Sequence, residues 1–548
     1  MASKIVIDPV TRIEGHLRME TEVTGGFVSN AWSTGTLFRG VEVILKNRDP
    51  RDAWMLTQRI CGVCTYVHGV TSIRSVENAL GLTVPDNART VRNLLMGAQY
   101  VHDHIIHFYA LHLLDWVDIT RALAADPATA VTIDRQICST RTRDAAYFTA
   151  VKDKLAGFVG SGQLGPFANG YWGHAGYKLS PEMSLVMMAN YLEALRFQVQ
   201  IIKMHAILGG KNPHPQSLLI GGVTPDLDFT LGRLTEFQSL CTEAKSFVDT
   251  YYLPDATAIA AIYGQPENGG YGAIGSCNNL LCFGEFPQTA DEPASLFFPR
   301  GAIFGKATGN VQSVNVADIT EHVARSWYEG STPHNPAQGD TVPVYSGIDL
   351  DEKYSWLKAP RYNGQPMEVG PLARVMVAYG QGMGAMVAAV NTFLSATFLT
   401  LPQMYSTIGR TAARAIETKV IADAMIGWIT ELIGTKNSPN KVTFTMQPAG
   451  SGFALNEAPR GALGHWLNYS ETKIDNYQMV VPSTWNFGPR DAANVAGPVE
   501  QALIGTPVLN DQQPLEVLRV IHSFDPCIAC AVHLVNLTGD EEVNINVL

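Results

Sequence analysis

Two cysteine pairs constrain this chain more than anything else in it: Cys61-Gly62-Val63-Cys64 near the start and Cys527-Ile528-Ala529-Cys530 near the end. Each sets two soft thiolates three residues apart, so that one turn of backbone can present both sulfurs to one metal. Within a few dozen residues of each other, two such units would make a small zinc knuckle. Here more than 460 residues separate them, so they can share a metal only if the two ends of a large fold meet at its centre. By spacing alone the favoured reading is a closed zinc site with four cysteine ligands, stapling the ends together. The neighbours shift that reading. His68 follows Cys64 by four residues, Asp525-Pro526 precedes Cys527, and His533 follows Cys530 by three. A structural zinc has no use for such a titratable shell.

A length of 548 residues alone suggests roughly three or four domains, but apolar residues make up 46% and charged ones only 16%, which favours one deeply buried core. No repeat, low-complexity tract or charge run marks a linker, and the chemistry is divided between the two ends. One intertwined globule is therefore expected. The net charge of −11 argues against nucleic acid or anionic lipid as the main partner. Eight cysteines are too few for a disulfide scaffold, and Cys138, Cys241, Cys277 and Cys282 read as buried small hydrophobes. Met1 to Pro9 has neither an apolar signal core nor a twin arginine, so export would have to be carried by a partner. Val375 to Gly409 carries no charge but holds Gln381, Asn391, Gln403 and Pro402; it reads as a buried helix broken at Pro402 rather than a lipid-exposed span.

Alternation around Gly25-Gly26 predicts a β-hairpin over residues 4–33, with Arg12, Glu14 and His16 sharing one face of a strand. From Asn87 to Trp116 the apolar period becomes helical. Further helices are predicted near 181–208, 232–251, 372–399 and 403–434, with loops and short strands between 252 and 371. Asp103 stands one turn before His107, a spacing that predicts a hydrogen-bonded core pair, and His104 and His112 read as core histidines.

The blocks Arg12-Ile13-Glu14-Gly15-His16, Arg39-Gly40-Val41-Glu42, Arg59 to Gly69, His102-Asp103-His104, Pro459-Arg460-Gly461, Val481 to Asn486 and Asp525 to His533 run in order along the chain. Together they closely resemble the large subunit of nickel–iron hydrogenases, most of all the respiratory, membrane-associated hydrogen-uptake type. The resemblance implies an α+β fold, predominantly helical, with a central bundle of long helices and small peripheral sheets. It also implies a nickel–iron centre carrying Fe(CN)2CO, with Cys61 and Cys527 as terminal nickel ligands and Cys64 and Cys530 bridging nickel to iron. Hydrogen would be split heterolytically, the sulfur of Cys527 taking the proton and Glu14, its acidity weakened by burial, carrying it onward.

By the same resemblance Arg460 projects over the open coordination sites, held by Asp103 and Asp525, while Pro459 and Ser483 meet the cyanides and His68 donates to a bridging cysteine. Glu42, the carbonyl of Met479 (Leu in many relatives) and His533 would hold magnesium. The mature chain would be residues 1–533, with 534–548 a C-terminal extension, itself patterned as a hairpin, that an endopeptidase removes after nickel-insertion factors have acted. Until then the tail is expected to hold Cys527 and Cys530 away from the other pair.

Two electrons leave per hydrogen, and the remaining cysteines lack ferredoxin spacing. An iron–sulfur small subunit is therefore implied, in an obligate heterodimer with a large apolar interface. A twin-arginine signal on it would carry the folded pair to the periplasm, and a membrane cytochrome or quinone-linked anchor would attach through it. Rival readings are a hydrogen-sensing regulatory subunit, whose relatives generally lack the tail, and a structural quinone-site subunit of respiratory complex I, whose relatives lack the cysteines.

Overall fold

The computed structural model describes residues 3–162, 165–167, 170–224, 230–289 and 294–531. His533 and the extension 534–548 lie outside the described residues.

The N-terminal alternation forms a three-stranded antiparallel sheet of β1 (Ser3–Ile7), β2 (Leu17–Thr24) and β3 (Phe27–Gly35). Gly25 and Gly26, at φ 62° and 82°, make the two-residue turn whose backbone twist suits a hairpin. Arg12, Glu14 and His16 are not on a strand, contrary to the sequence reading. They lie in the β1–β2 connection, which Arg12 (φ 56°) and Gly15 (φ 83°) bend through left-handed conformations.

The helices are α1 (Val67–Leu80), α2 (Asp86–Ile106), α3 (Pro181–Gly209), α4 (Leu231–Phe247), α5 (Leu253–Tyr263), α6 (Pro371–Gly380), α7 (Gly384–Thr397) and α8 (Thr407–Thr435), of which all but α1 and α5 fall where periodicity predicts them. Two of them begin as the chemistry of helix ends dictates. Ser180 caps α3 with Pro181 in its first turn, and the Ser406 hydroxyl accepts the Gly409 amide to start α8. Helix α2 runs on through a π-helical turn (His107–His112) and a 3-10 turn (Leu113–Asp115). Helix α8 is the axis of the bundle, packing against α2, α4, α5 and α6.

Two sequence expectations change here. The region 252–371 opens with a helix, α5, before its short strands, because Ala256, Ile259, Ala260 and Tyr263 bury one face of it. The uncharged stretch after Val375 breaks already at Gln381–Met383, and α7 buries only Met386, Val390, Phe393 and Thr397. It is a half-exposed surface helix whose exposed face is made of small residues. Among the described residues no helix is long and apolar enough to cross a membrane.

A second sheet, unpredicted from sequence, joins β4 (Gly450–Ala458), β5 (Gly461–Ser470) and β6 (Lys473–Val480). The short helices that follow include α9 (Pro482–Phe487), α10 (Leu515–Ser523) and α11 (Ile528–Ala531). One continuous apolar core runs from Ile5 to Ala531, and a smaller cluster around Phe283 and Trp485 sits beside it. The expected α+β, mainly helical architecture is the one observed.

Candidate metal centre

The two cysteine pairs meet. Cys61 and Cys64 lie on the loop before α1, and Cys527 and Cys530 enter with α11 from the opposite end of the chain. Cys61 Sγ is 3.5 Å from Cys527 Sγ, and Cys530 Sγ is 2.9 Å from both Cys64 Sγ and Cys527 Sγ. All four are buried and none forms a disulfide. Their sulfurs lie within 4.8 Å of one another, too far apart for S–S bonds and close enough for a small metal centre to touch them all. The Cys527 segment is pinned by backbone pairing to Glu14: the Glu14 amide donates to Pro526 O at 3.2 Å and the Ile528 amide to Glu14 O at 2.8 Å.

The electrostatics of the quartet suit a cation. Bonds from the Cys527, Cys530 and Cys64 thiols, with the Arg460 charge nearby, hold Cys61 well below the usual thiol range. Burial pushes Cys64 up to about 11 and raises Cys527 and Cys530 well above normal. The Cys61 sulfur also accepts the Val63 and Cys64 amides. A bound metal would displace the remaining protons.

Pairing with residues 526–528 brings the Glu14 carboxylate to the quartet. The Cys527 thiol donates to Oε2 at 3.1 Å and the Ala529 amide donates to the same oxygen at 3.0 Å. Burial, then the Cys61 charge, raises the Glu14 pKa. Arg12 is not its partner: that guanidinium donates to Leu111 O and Asp115.

Arg460 sits at the tip of the β4–β5 hairpin, where Ala458 pairs with Gly461 and Pro459-Arg460 make the turn. Hairpin tips are normally solvated, but this one is buried, with Arg460 only 4% exposed. The Arg374 guanidinium holds it there, donating to Ala458 O at 2.9 Å and Pro459 O at 2.6 Å while paired with Glu417 and Glu457. Arg460 in turn pairs with Asp103 at 3.0 Å and Asp525 at 3.2 Å, as expected. Asp103 therefore does not pair with His107, whose Nε2 donates to His522 O at 2.7 Å. The hydroxyl of Ser483, on α9, accepts the Cys527 amide at 3.0 Å, which leaves its proton free to donate.

A family model described as nickel-dependent hydrogenase matches residues 39–533, and one described as HoxL-like matches residues 4–22. The chain is 45% identical to the uptake hydrogenase large subunit of Rhizobium leguminosarum bv. viciae, over 99% of this chain and 97% of that one. It is 43% identical to the hydrogenase-2 large chain of Escherichia coli K12 over the full length of both. The nickel–iron–selenium hydrogenase of D. vulgaris Hildenborough superposes with a TM-score of 0.80 at 33% identity, covering 97% of this chain and 100% of that one.

This chain belongs to the nickel-dependent hydrogenases. Its four-thiolate site is accordingly a nickel–iron centre, and the zinc staple and quinone-site readings fall away. Around that centre the hydrogenase has partners that sequence reasoning missed. His68 Nδ1 meets His465 Nε2 at 3.2 Å, and His465 Nδ1 meets the Tyr477 hydroxyl at 2.8 Å. No motif marked these two or Arg374, because their role comes from cross-strand register and from charge neutralisation between remote segments.

The candidate magnesium ligands are placed in part. Glu42 is fully buried; its Oε1 accepts the Met479 amide at 2.8 Å and its Oε2 faces Thr341 and, at 3.6 Å, Lys358 Nζ. Lys358 also pairs with Glu321 at 3.1 Å. Burial, with Glu42 adding to it against Lys358, pushes Glu321 up to about 7. Two buried carboxyl groups thus face one ammonium, and Glu42 is the one of them that the magnesium reading uses. Of the scattered cysteines, Cys241, Cys277 and Cys282 are buried as expected, whereas Cys138 is half-exposed.

Proposed function

We propose that this hydrogenase large subunit oxidises molecular hydrogen in the uptake direction and passes the electrons to an iron–sulfur small subunit. The observation that carries the reading is the contact between Cys527 and Glu14: a thiol at the four-sulfur centre donates at 3.1 Å to a half-buried carboxylate whose pKa is raised.

Bound to the four sulfurs, a nickel–iron centre supplies the Lewis acidity and the redox change at which H2 is split into protons and electrons. Cys527 receives the proton. Glu14 takes it from the sulfur, because burial raises its pKa and so makes it a better proton acceptor than an exposed carboxylate. The Ala529 amide fixes Glu14 Oε2 in line with that sulfur. Arg460, clamped by Asp103 and Asp525, keeps a permanent positive charge beside the sulfurs and polarises the pocket. His68 is held by His465, itself bonded to Tyr477, and would donate to a cysteine sulfur of the centre.

Ser483 and Pro459 would meet the cyanides of an iron carrying Fe(CN)2CO, and Glu42, the Met479 carbonyl and His533 would hold magnesium. Electrons leave past Gly62 and Val63, which are exposed while Cys61 and Cys64 beside them are buried. The unit 1–533 is the mature globule. Removal of 534–548 by an endopeptidase follows nickel insertion, after which the small subunit takes the complex to the periplasm and to a membrane cytochrome or quinone-linked anchor. The relatives named as uptake hydrogenases favour this reading over a hydrogen sensor.

Infrared spectroscopy and nickel and iron quantification on the processed heterodimer, followed by hydrogen-oxidation assay of Glu14→Gln, test the proposal. Carbonyl and cyanide bands with both metals bound, and turnover lost in Glu14→Gln, are expected. Zinc in place of nickel and iron, or a Glu14→Gln enzyme that keeps most of its turnover, overturns it.

A further inference from the structure

A second buried cluster of metal-ligating residue types lies beside the first: His112, Asp115 and His522, whose ligand atoms lie within 4.8 Å of one another. It is a hydrogen-bonded hub rather than a metal site. His112 Nδ1 and His522 Nδ1 meet the same carboxylate oxygen, Asp115 Oδ2, at 3.0 and 2.7 Å, and Arg12 Nη2 meets the other, Oδ1, at 2.5 Å. Arg12 therefore already supplies the positive charge that a cation would bring. His112 Nε2 accepts the Trp116 indole N–H at 3.0 Å, so that ring is neutral and donates through Nδ1. His522 differs, because its Nε2 faces a second acceptor, Thr11 O, at 2.9 Å. Both ring nitrogens of His522 thus face acceptors, one a carboxylate and one a carbonyl. The other charged and titratable groups near it are His107, which donates to the His522 carbonyl, and Arg414, which donates to Ser523 O.

What these bonds join matters more than their number. Thr11 and Arg12 belong to the connection that presents Glu14. His112 and Asp115 end the helical run that carries Asp103. His522 ends α10, three residues before Asp525 and five before Cys527. The three segments that bear the proton carrier, the arginine clamp and the terminal sulfur are thus tied to one another through one carboxylate and one imidazole, both at most 1% exposed. No other residue among those described makes side-chain hydrogen bonds to all three segments at once.

We propose that Asp115 and His522 are positioning residues for proton hand-off, locking the Glu14 connection, the end of the Asp103 helix and the approach to Cys527 into one register. The inference rests on the transfer from Cys527 to Glu14 proposed above. Neither residue touches the reacting atoms. Each acts through the distance between Glu14 and Cys527.

The test uses the processed heterodimer with His522→Gln and His522→Asn. The Gln amide stands where His Nε2 did and keeps the donor to Thr11 O. The Asn amide stands where Nδ1 did and keeps the donor to Asp115. Both variants are expected to bind normal nickel and iron and to lose about ten- to hundredfold in turnover per nickel, since a shift of order 1 Å costs about that much. Their pH profiles for hydrogen oxidation should be displaced, and the double variant Glu14→Gln/His522→Gln should be no slower than Glu14→Gln alone. Wild-type turnover and pH profile per nickel overturn the inference. So does activity that falls only in proportion to metal content, or a double variant in which the two losses multiply. A Glu14→Gln enzyme that stays active would instead sink the hand-off itself, whatever the His522 variants do.

Discussion

Gly15→Ala is a sharp probe of how the site is built. Gly15 follows the proton carrier at φ 83°, and an added Cβ would lie 2.5 Å from the Ala529 amide nitrogen and 3.0 Å from the Ile528 carbonyl carbon. Those atoms are backbone, held by the same ladder that fixes Glu14, and cannot swing aside as a side chain would. Ordinary contact begins at 3.4 Å, so the two segments must part by about 0.9 Å. The left-handed backbone costs an alanine about 1–2 kcal/mol, and weakening one or two of the ladder bonds about 1 kcal/mol each, for a total of about 2–4 kcal/mol. In a chain of this length that lowers Tm by only a few degrees. The functional loss should be far larger. Parting the segments carries Glu14 beyond hydrogen-bond reach of Cys527, now 3.1 Å away, and a shift of that size is worth about 100-fold in rate. Gly25→Ala is the control: it has a similar left-handed φ of 62° but nothing within 4 Å of its Cβ, so it should cost about 1 kcal/mol and leave turnover alone. Thermal unfolding and hydrogen oxidation per nickel measure both. A Gly15→Ala enzyme with the turnover of Gly25→Ala would refute the claim that this close approach sets the contact.

Three further outcomes follow from the charges and the sulfurs. Arg460→Lys keeps the charge but cannot span Asp103 and Asp525, which Arg460 reaches through Nη1 and Nε; turnover should fall at least about tenfold with nickel retained, by the logic of a lost preorganised donor, and unchanged kinetics would count against the clamp. Glu457 is pushed up to about 7 by burial, so its contribution to stability is full below the ordinary carboxylate pKa and is lost as pH rises through 7, up to about 3 kcal/mol; Glu457→Gln should flatten the dependence of Tm on pH between 5 and 8, and an undiminished slope would assign the titration elsewhere. Cys64→Ser removes a soft donor from the quartet and should abolish nickel and iron loading; a stoichiometrically loaded variant would show that three thiolates suffice.

The sequence disclosed this site unevenly, and the physical reasons differ from residue to residue. The cysteine pairs were legible because metal ligation demands particular atoms at a particular spacing, and the long helices because burial of one face repeats at the helical period. Asp103, Asp525 and Arg460 were legible only through resemblance: the pairing that neutralises them spans 357 residues in one case, and no local pattern encodes it. The same distance explains the error at Asp103 and His107, where helical spacing suggested a pair but stronger partners, a guanidinium for one and the His522 carbonyl for the other, come from elsewhere in the chain. Glu14 was misplaced onto a strand because alternation in a short segment cannot register Arg12 and Gly15 turning left-handed.

The hub at Asp115 makes the general point. His112 reads in the sequence as a core histidine, and no motif marks Asp115 or His522. A buried carboxylate requires compensation on both oxygens, and here that compensation comes from three segments far apart in sequence, each of which continues within a few residues into the chemistry. Fixing a charge in the core and fixing the distance between Cys527 and Glu14 are thus the same structural act. A change at Asp115 or His522 should therefore alter the proton transfer before it alters the metal.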